Sequence, residues 1–204
     1  MAGTVTLLKI QKQNKERVSV FLDDAYAFSL DLIAAARLHK GQHLSDAEID
    51  ALQGDDERTR AYHAALRQLG VRPRSRSELE QALRRKEFDD EVIDAALARL
   101  QQEGLLDDAE FARYWSENRS TFRPRSARAL RFELRQKGVS SEDMDPALEE
   151  VDDDAASVAA LEPKLRGWQS LAPQEREAKA LAFLARRGFS FQCARRALRT
   201  LLEP

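Results

Sequence analysis

Three stretches of the chain, residues 75–100, 126–151 and 176–201, read as one helical unit written three times. Each opens with a charged helix carrying apolar residues at i and i+4. After a short break comes a hydrophobe: Phe88, Val139 or Phe189. Nine residues later stands a leucine preceded by alanine: Ala96-Leu97, Ala147-Leu148 and Ala197-Leu198. The spacing between units is 51 and then 50 residues. The second and third units also place a glycine, Gly138 or Gly188, just before the hydrophobe. A helical unit this small cannot bury its apolar face alone, so copies must stack. Arrays of this kind present a long surface more readily than they build one buried active site.

Composition agrees with a helical chain. The 204 residues are 33% charged and only 7% aromatic, unlike a β-sandwich or a disordered tail. The net charge of −2 says nothing about partners, but its distribution does. Arg113 to Lys137 holds eight basic residues and two acidic ones, Glu117 and Glu133. Gly138 to Pro163 holds nine acidic residues and no basic one. Such segregation gives one body a basic face and an acidic face. Cys193 is the only cysteine, which excludes an internal disulfide and a multi-cysteine metal site. The first residues lack a basic start followed by an apolar run, and no stretch approaches the roughly 20 apolar residues of a membrane span. The expectation is a cytoplasmic monomer.

The front of the chain differs. Residues 4–9, 17–22 and 25–29 alternate in polarity, with Asp23-Asp24 as a turn, and predict a small antiparallel β meander. Two short helices follow. Leu30 to Leu38 ends near Gly41 as its C-cap, and a Ser45–Glu48 capping box opens a helix to about Gln53. Gly54-Asp55-Asp56 reads as a linker, which closes an N-terminal region at 1–54. Three-helix repeats then occupy 57–103, 104–151 and 152–204. In the first, a helix over 57–69 is followed by one opened by Ser77–Glu80, and Asp89/Asp90 start the third. The second repeat places helices at about 107–121, 125–137 and 141–151, with Asp107 as an N-cap. The third uses 153–166, 173–187 and 190–202, with Pro173 in a first turn. The fold class is mainly α: three tandem three-helix repeats in an elongated array, preceded by the β meander and short helices.

The residues Arg74-Ser75-Arg76-Ser77-Glu78-Leu79 with Leu83, Gly104-Leu105-Leu106-Asp107-Asp108 with Phe111-Ala112, Arg123-Pro124-Arg125, Glu133-Leu134 and Lys137-Gly138 resemble the RecX family of regulators of the RecA recombinase. The resemblance is good from about 60 to 151 and weaker in the third unit. The front segment, with Val20 to Asp24 and Ala27 to Leu30, is similar to the N-terminal extension of some members. The resemblance implies a curved body of tandem three-helix repeats. It also implies a non-enzymatic regulator that binds RecA filaments and alters, in many members inhibits, their ATPase and strand exchange. Some members also bind DNA, single- or double-stranded.

The residues themselves suggest no catalytic constellation, no phosphate loop and no cofactor. His39 and His43 have a helical metal spacing, but Gly41 lies between them and a third ligand is missing. Asp107/Asp108 and Asp152–Asp154 read as helix-start charge. Cys193 reads as core. Tyr62, Tyr114 and Trp115 could stack on bases but sit at core spacing. The candidate contact residues for a partner or DNA are arginines. Arg72, Arg74 and Arg76 flank a helix start, and Arg84 and Arg85 end that helix. Arg123, Arg125, Arg128, Arg131 and Arg135 surround the middle helix of the second repeat. Arginine suits bidentate contact with carboxylate or phosphate. The rival reading is a helical DNA-binding module with no recombinase partner, whose affinity would fall steeply with salt.

Overall fold

A computed structural model describes residues 2–202. Its front is an antiparallel sheet of β1 (Gly3–Ile10), β2 (Arg17–Leu22), β3 (Ala25–Asp31) and β4 (His43–Leu44), in the order β3-β2-β1-β4. The expected meander thus gains a fourth strand of two residues. Gly41, with φ +88°, turns the chain so that its N–H donates to the Val5 carbonyl, and the Val5 N–H donates to that of Gln42. This glycine serves the β4 turn and caps no helix. His43 lies in the strand and His39 before it, so the two do not share a helix face. Asp23 and Asp24 form the predicted turn, both at positive φ, as a two-residue hairpin of the right twist requires. Val18, Val20, Leu22, Phe28 and Leu30 face the sheet's core.

The helices are α1 (Leu32–Ala35), α2 (Asp46–Leu69), α3 (Arg76–Arg84), α4 (Asp90–Gln102), α5 (Asp108–Phe122), α6 (Ala127–Gln136), α7 (Ser141–Glu149), α8 (Asp153–Arg166), α9 (Pro173–Arg186) and α10 (Phe191–Leu202). Two expectations are corrected at the front. The helix over 30–38 shrinks to the single turn α1, because Leu30 belongs to β3 and is fully buried there. The two helices over 45–53 and 57–69 are one helix of 24 residues, α2, which runs through Gly54. The supposed linker carries a buried anchor instead. The Asp56 carboxylate accepts two hydrogen bonds from Arg17 Nη1 at 2.6 and 2.8 Å and one from the Asp31 N–H at 2.8 Å. Ser45 and Glu48 make the predicted capping box at the start of α2.

From α3 onward the expected boundaries agree with the observed ones to within a few residues. Asp107, Ser126, Ser140 and Asp152 cap α5, α6, α7 and α8 with their side chains, and Pro173 starts α9. The second repeat closes around Phe111, Leu130, Leu134, Val139, Met144 and Leu148. The third closes around Leu161, Leu184, Phe189, Cys193 and Leu198. In the first repeat the place of Gly138 and Gly188 is taken by Glu87, which adopts the same left-handed φ, +63°. The chain divides into two compact units, 1–68 with 80–102 and 69–79 with 103–204. Among the described residues no helix is long and apolar enough to cross a membrane.

Candidate functional site

The second unit contains two seams built on one plan. Four residues, Arg-Pro-Arg-Ser, lead into α3 at 72–75 and again into α6 at 123–126. In the first seam Ser75 is the N-cap, receiving the Glu78 N–H on its Oγ, while its hydroxyl donates to the Lys137 carbonyl at the end of α6 (2.6 Å). The Arg76 N–H donates to Asp108 Oδ1 (2.8 Å). In the second seam Ser126 caps α6, its N–H donates to the Arg187 carbonyl at the end of α9, and the Ala127 N–H donates to Asp153 Oδ1 (2.7 Å). The second residue of each acidic pair thus satisfies an N-terminal amide of a helix in the preceding sequence unit, while the first caps its own. Burial pushes the Asp108 carboxyl up against the lowering effect of that Arg76 amide, with Asp143 and Asp107 pushing the same way as burial.

The first seam is electrically closed. Arg72 forks onto Glu78 through Nη1 to Oε2 (3.1 Å) and Nη2 to Oε1 (3.0 Å), and Lys137 Nζ reaches Oε1 at 2.7 Å. Lys137 also stands 4.2 Å from the centre of the Trp115 ring. The capping box therefore pairs Ser75 with Glu78, two residues before the expected Ser77–Glu80. Burial pushes the Glu78 carboxyl up, but hydrogen bonds from Arg72 and Lys137, backed by their charges, hold it at about 2, below its ordinary 4.5. An acid held low stabilises the fold above its unfolded value and loses that contribution as pH falls through the folded one. Glu78→Gln is expected to cost about 1 kcal/mol at pH 7, allowing for solvent screening around the part-exposed Arg72. Its deficit in thermal melts should close between pH 4.5 and 2. A deficit independent of pH would rule the ion pair out as the cause.

The structure sorts the ten candidate arginines by partner. Arg72 is committed to Glu78. Arg84 pairs with Glu80 and Asp90. Arg125 pairs with Glu133 (2.9 Å), which also takes Arg119 and the Trp115 indole N–H, each at 2.8 Å. Arg131 turns toward α7 and pairs closely with Asp145. Arg74 and Arg125 each bury an Nε with no hydrogen-bond partner. Arg76 is half-buried at the first seam. Arg85, Arg123, Arg128 and Arg135 are exposed, with no carboxylate partner among the described residues. On α6, Arg128 and Arg135 flank Phe132 at i, i+4 and i+7, one helix face. Phe132 is 63% exposed.

Sequence reasoning missed Phe132, Lys137 and Arg187. The doubled Arg-Pro-Arg-Ser was the signal that could have led to the last two, because a tetrapeptide repeated at the unit spacing marks a repeated contact. The other candidates lie where their packing role places them. Tyr62 is buried with Arg99 stacked on its ring, Trp115 packs on the second repeat's core, and Cys193 is buried. Asp154 pairs with Arg196. Among the described residues no group of three or more His, Cys, Asp and Glu could hold a metal ion.

Comparison with known proteins covers nearly the whole chain. Residues 3–45 match the regulatory protein RecX N-terminal domain, and 61–100, 107–148 and 152–198 match the first, second and third RecX three-helix domains. The third unit, whose resemblance looked weaker, is thus matched in its own right. The regulatory protein RecX of Bacillus subtilis is 34% identical over 192 residues, 92% of this chain and 73% of that one. Its counterpart in Listeria monocytogenes is 29% identical over 199 residues, 95% of this chain and 74% of that one. A crystal structure of regulatory protein RecX superposes with a TM-score of 0.72 at 26% identity, covering 95% of this chain and 97% of that one. RecX from Lactobacillus salivarius shares the fold, with a TM-score of 0.63 at 21% identity over 72% of this chain and 97% of that one. With all four domains matched in order on a sheet and three helical units that the fold reproduces, the chain belongs to the RecX family of regulatory proteins.

Proposed function

We propose that the protein is a non-enzymatic regulator that binds RecA recombinase filaments in the cytoplasm and inhibits their ATPase and strand exchange, and so acts on DNA repair and recombination. The observation that carries this reading is the exposed strip Arg128, Phe132 and Arg135 on α6, in a chain whose family is regulatory. Aromatic and arginine side chains are the types that anchor protein interfaces, and among the described residues these arginines have no carboxylate partner. Arg123 adds an exposed cation on the same unit, and Arg85 is a separate exposed cation on the first unit. Arg72, Arg84, Arg125 and Arg131 are held by the chain's own acids, and their part is to shape the surface. Several modest contacts carried on linked repeats would act together at high effective concentration.

The test is RecA ATPase on single-stranded DNA with the chain added at stoichiometric dose. The expected result is inhibition, and the combined variant Arg128→Gln, Phe132→Ser, Arg135→Gln should need at least about tenfold more protein, as loss of a hot-spot cluster does. No change in ATPase with the wild-type chain would count against the recombinase reading. The DNA-binding alternative makes a different demand. Binding to bare DNA would weaken linearly in log–log against salt, and the two lost arginines would reduce the slope by about two.

A further inference from the structure

The two seams differ at the position of the carboxylate. Counting 51 residues on from Arg72, Arg74, Ser75 and Glu78 gives Arg123, Arg125, Ser126 and Ala129. The C-cap Lys137 of α6 has its counterpart in Arg187, the C-cap of α9. Arg72, Arg74 and Lys137 of the first seam therefore have counterparts in the second, where Ala127 stands in the place of Arg76, but the carboxylate has none. Where Glu78 takes Arg72 and Lys137, the second seam has the methyl group of Ala129.

The cations nevertheless converge there. Arg187 Nη1 donates to the Pro124 carbonyl at 2.8 Å, which sets its guanidinium against the Arg123-Pro124-Arg125 link, and its Cζ lies 4.7 Å from the Phe183 ring centre. Neither Arg123 nor Arg187 has a carboxylate partner among the described residues. Arg125 spends one nitrogen on Glu133 and keeps a buried Nε unsatisfied. Burial, then the charges of Arg123 and Arg125, push the Arg187 guanidinium below its ordinary value.

We propose that the second seam is a carboxylate-binding site for an acidic side chain of a protein partner, held by Arg123 and Arg187 in the place that Glu78 fills in the first seam. The chain's own first seam is the mould: the same cation positions there already hold a carboxylate through a two-pronged arginine contact. Under the function proposed above, on which the choice of partner rests, the acid belongs to the recombinase filament.

Two substitutions test the site in opposite directions. Ala129→Glu supplies the missing carboxylate from within, so the variant should melt at a higher temperature than the wild type and bind acidic probes more weakly. Arg123→Gln alters an exposed side chain, should leave the melt nearly unchanged, and should bind more weakly too. The probes are a short oligoglutamate peptide, a single-stranded oligonucleotide and the RecA filament. Both variants are expected to lose about tenfold or more in affinity for the peptide, in line with loss of a charge-assisted pair. Peptide binding unchanged in Ala129→Glu overturns the site. A loss confined to the oligonucleotide overturns the carboxylate as occupant in favour of phosphate. A loss for the peptide with filament binding intact supports the site and counts against the recombinase as its partner.

Discussion

Replacing Gly138 by Ala is expected to destabilise the second unit by about 3 kcal/mol. Two costs add. Gly138 has φ +75°, where a side chain costs about 1–2 kcal/mol. A Cβ there would also stand 2.7 Å from Ser77 Oγ and still closer to Ser77 Cβ, inside the first turn of α3. That turn holds the Ser75 hydroxyl on the Lys137 carbonyl, and moving it apart forfeits a hydrogen bond of about 1 kcal/mol. Gly188→Ala should behave alike, because at φ +92° its Cβ would stand 2.6 Å from that of Ala129. Gly104 is the internal control. It has φ +70° but nothing within 4 Å of an added Cβ, so Gly104→Ala should cost only about 1 kcal/mol. Both tryptophans, Trp115 and Trp168, lie in this unit, so denaturant melts followed by their fluorescence report on it directly. If Gly138→Ala and Gly104→Ala cost the same, the close approach at the seam contributes nothing.

Those glycines show how far the sequence carried. Gly138 and Gly188 were visible as members of a repeat, and a glycine after a helix already implies a left-handed cap. That each also admits a helix start of the preceding sequence unit was not visible, because Ser77 and Ser126 are some 60 residues away in the chain. The same divide runs through the rest. Helix faces such as Leu130 and Leu134, both fully buried, follow from local period. Asp107 and Asp152 follow from capping rules. Asp108 and Asp153 do not, since their partners are amides of a helix in the preceding sequence unit. The Ser75/Ser77 ambiguity is of this kind too. Each serine has a glutamate three residues on, and Ser75 is the cap whose hydroxyl also reaches Lys137. Among the arginines, the i, i+3, i+7 spacing placed Arg128, Arg131 and Arg135 on one face of α6. Only the placement of Asp145 on α7 separates Arg131 from the other two.

Asp56→Ala is expected to cost the first unit about 3 kcal/mol, the other large effect. A glycine inside a helix costs about 1 kcal/mol, and with two aspartates after it Gly54 resembles a linker. The helix survives because Asp56, only 5% exposed, ties α2 to the sheet. It accepts both bonds from Arg17 Nη1 and the Asp31 N–H, whose strand pairs with β2. Removing the carboxylate strands the Arg17 guanidinium, 19% exposed, and leaves the Asp31 amide without that acceptor. Breaking one side of such a buried pair is costlier than removing both sides. Arg17→Met combined with Asp56→Ala should therefore recover at least about 1 kcal/mol relative to Asp56→Ala alone. Tryptophan fluorescence is blind to this unit, so hydrogen exchange at the β2 and β3 amides, Val18 and Leu30 among them, is the measurement. If the double variant exchanges as fast as Asp56→Ala, the stranded charge is not what the substitution costs.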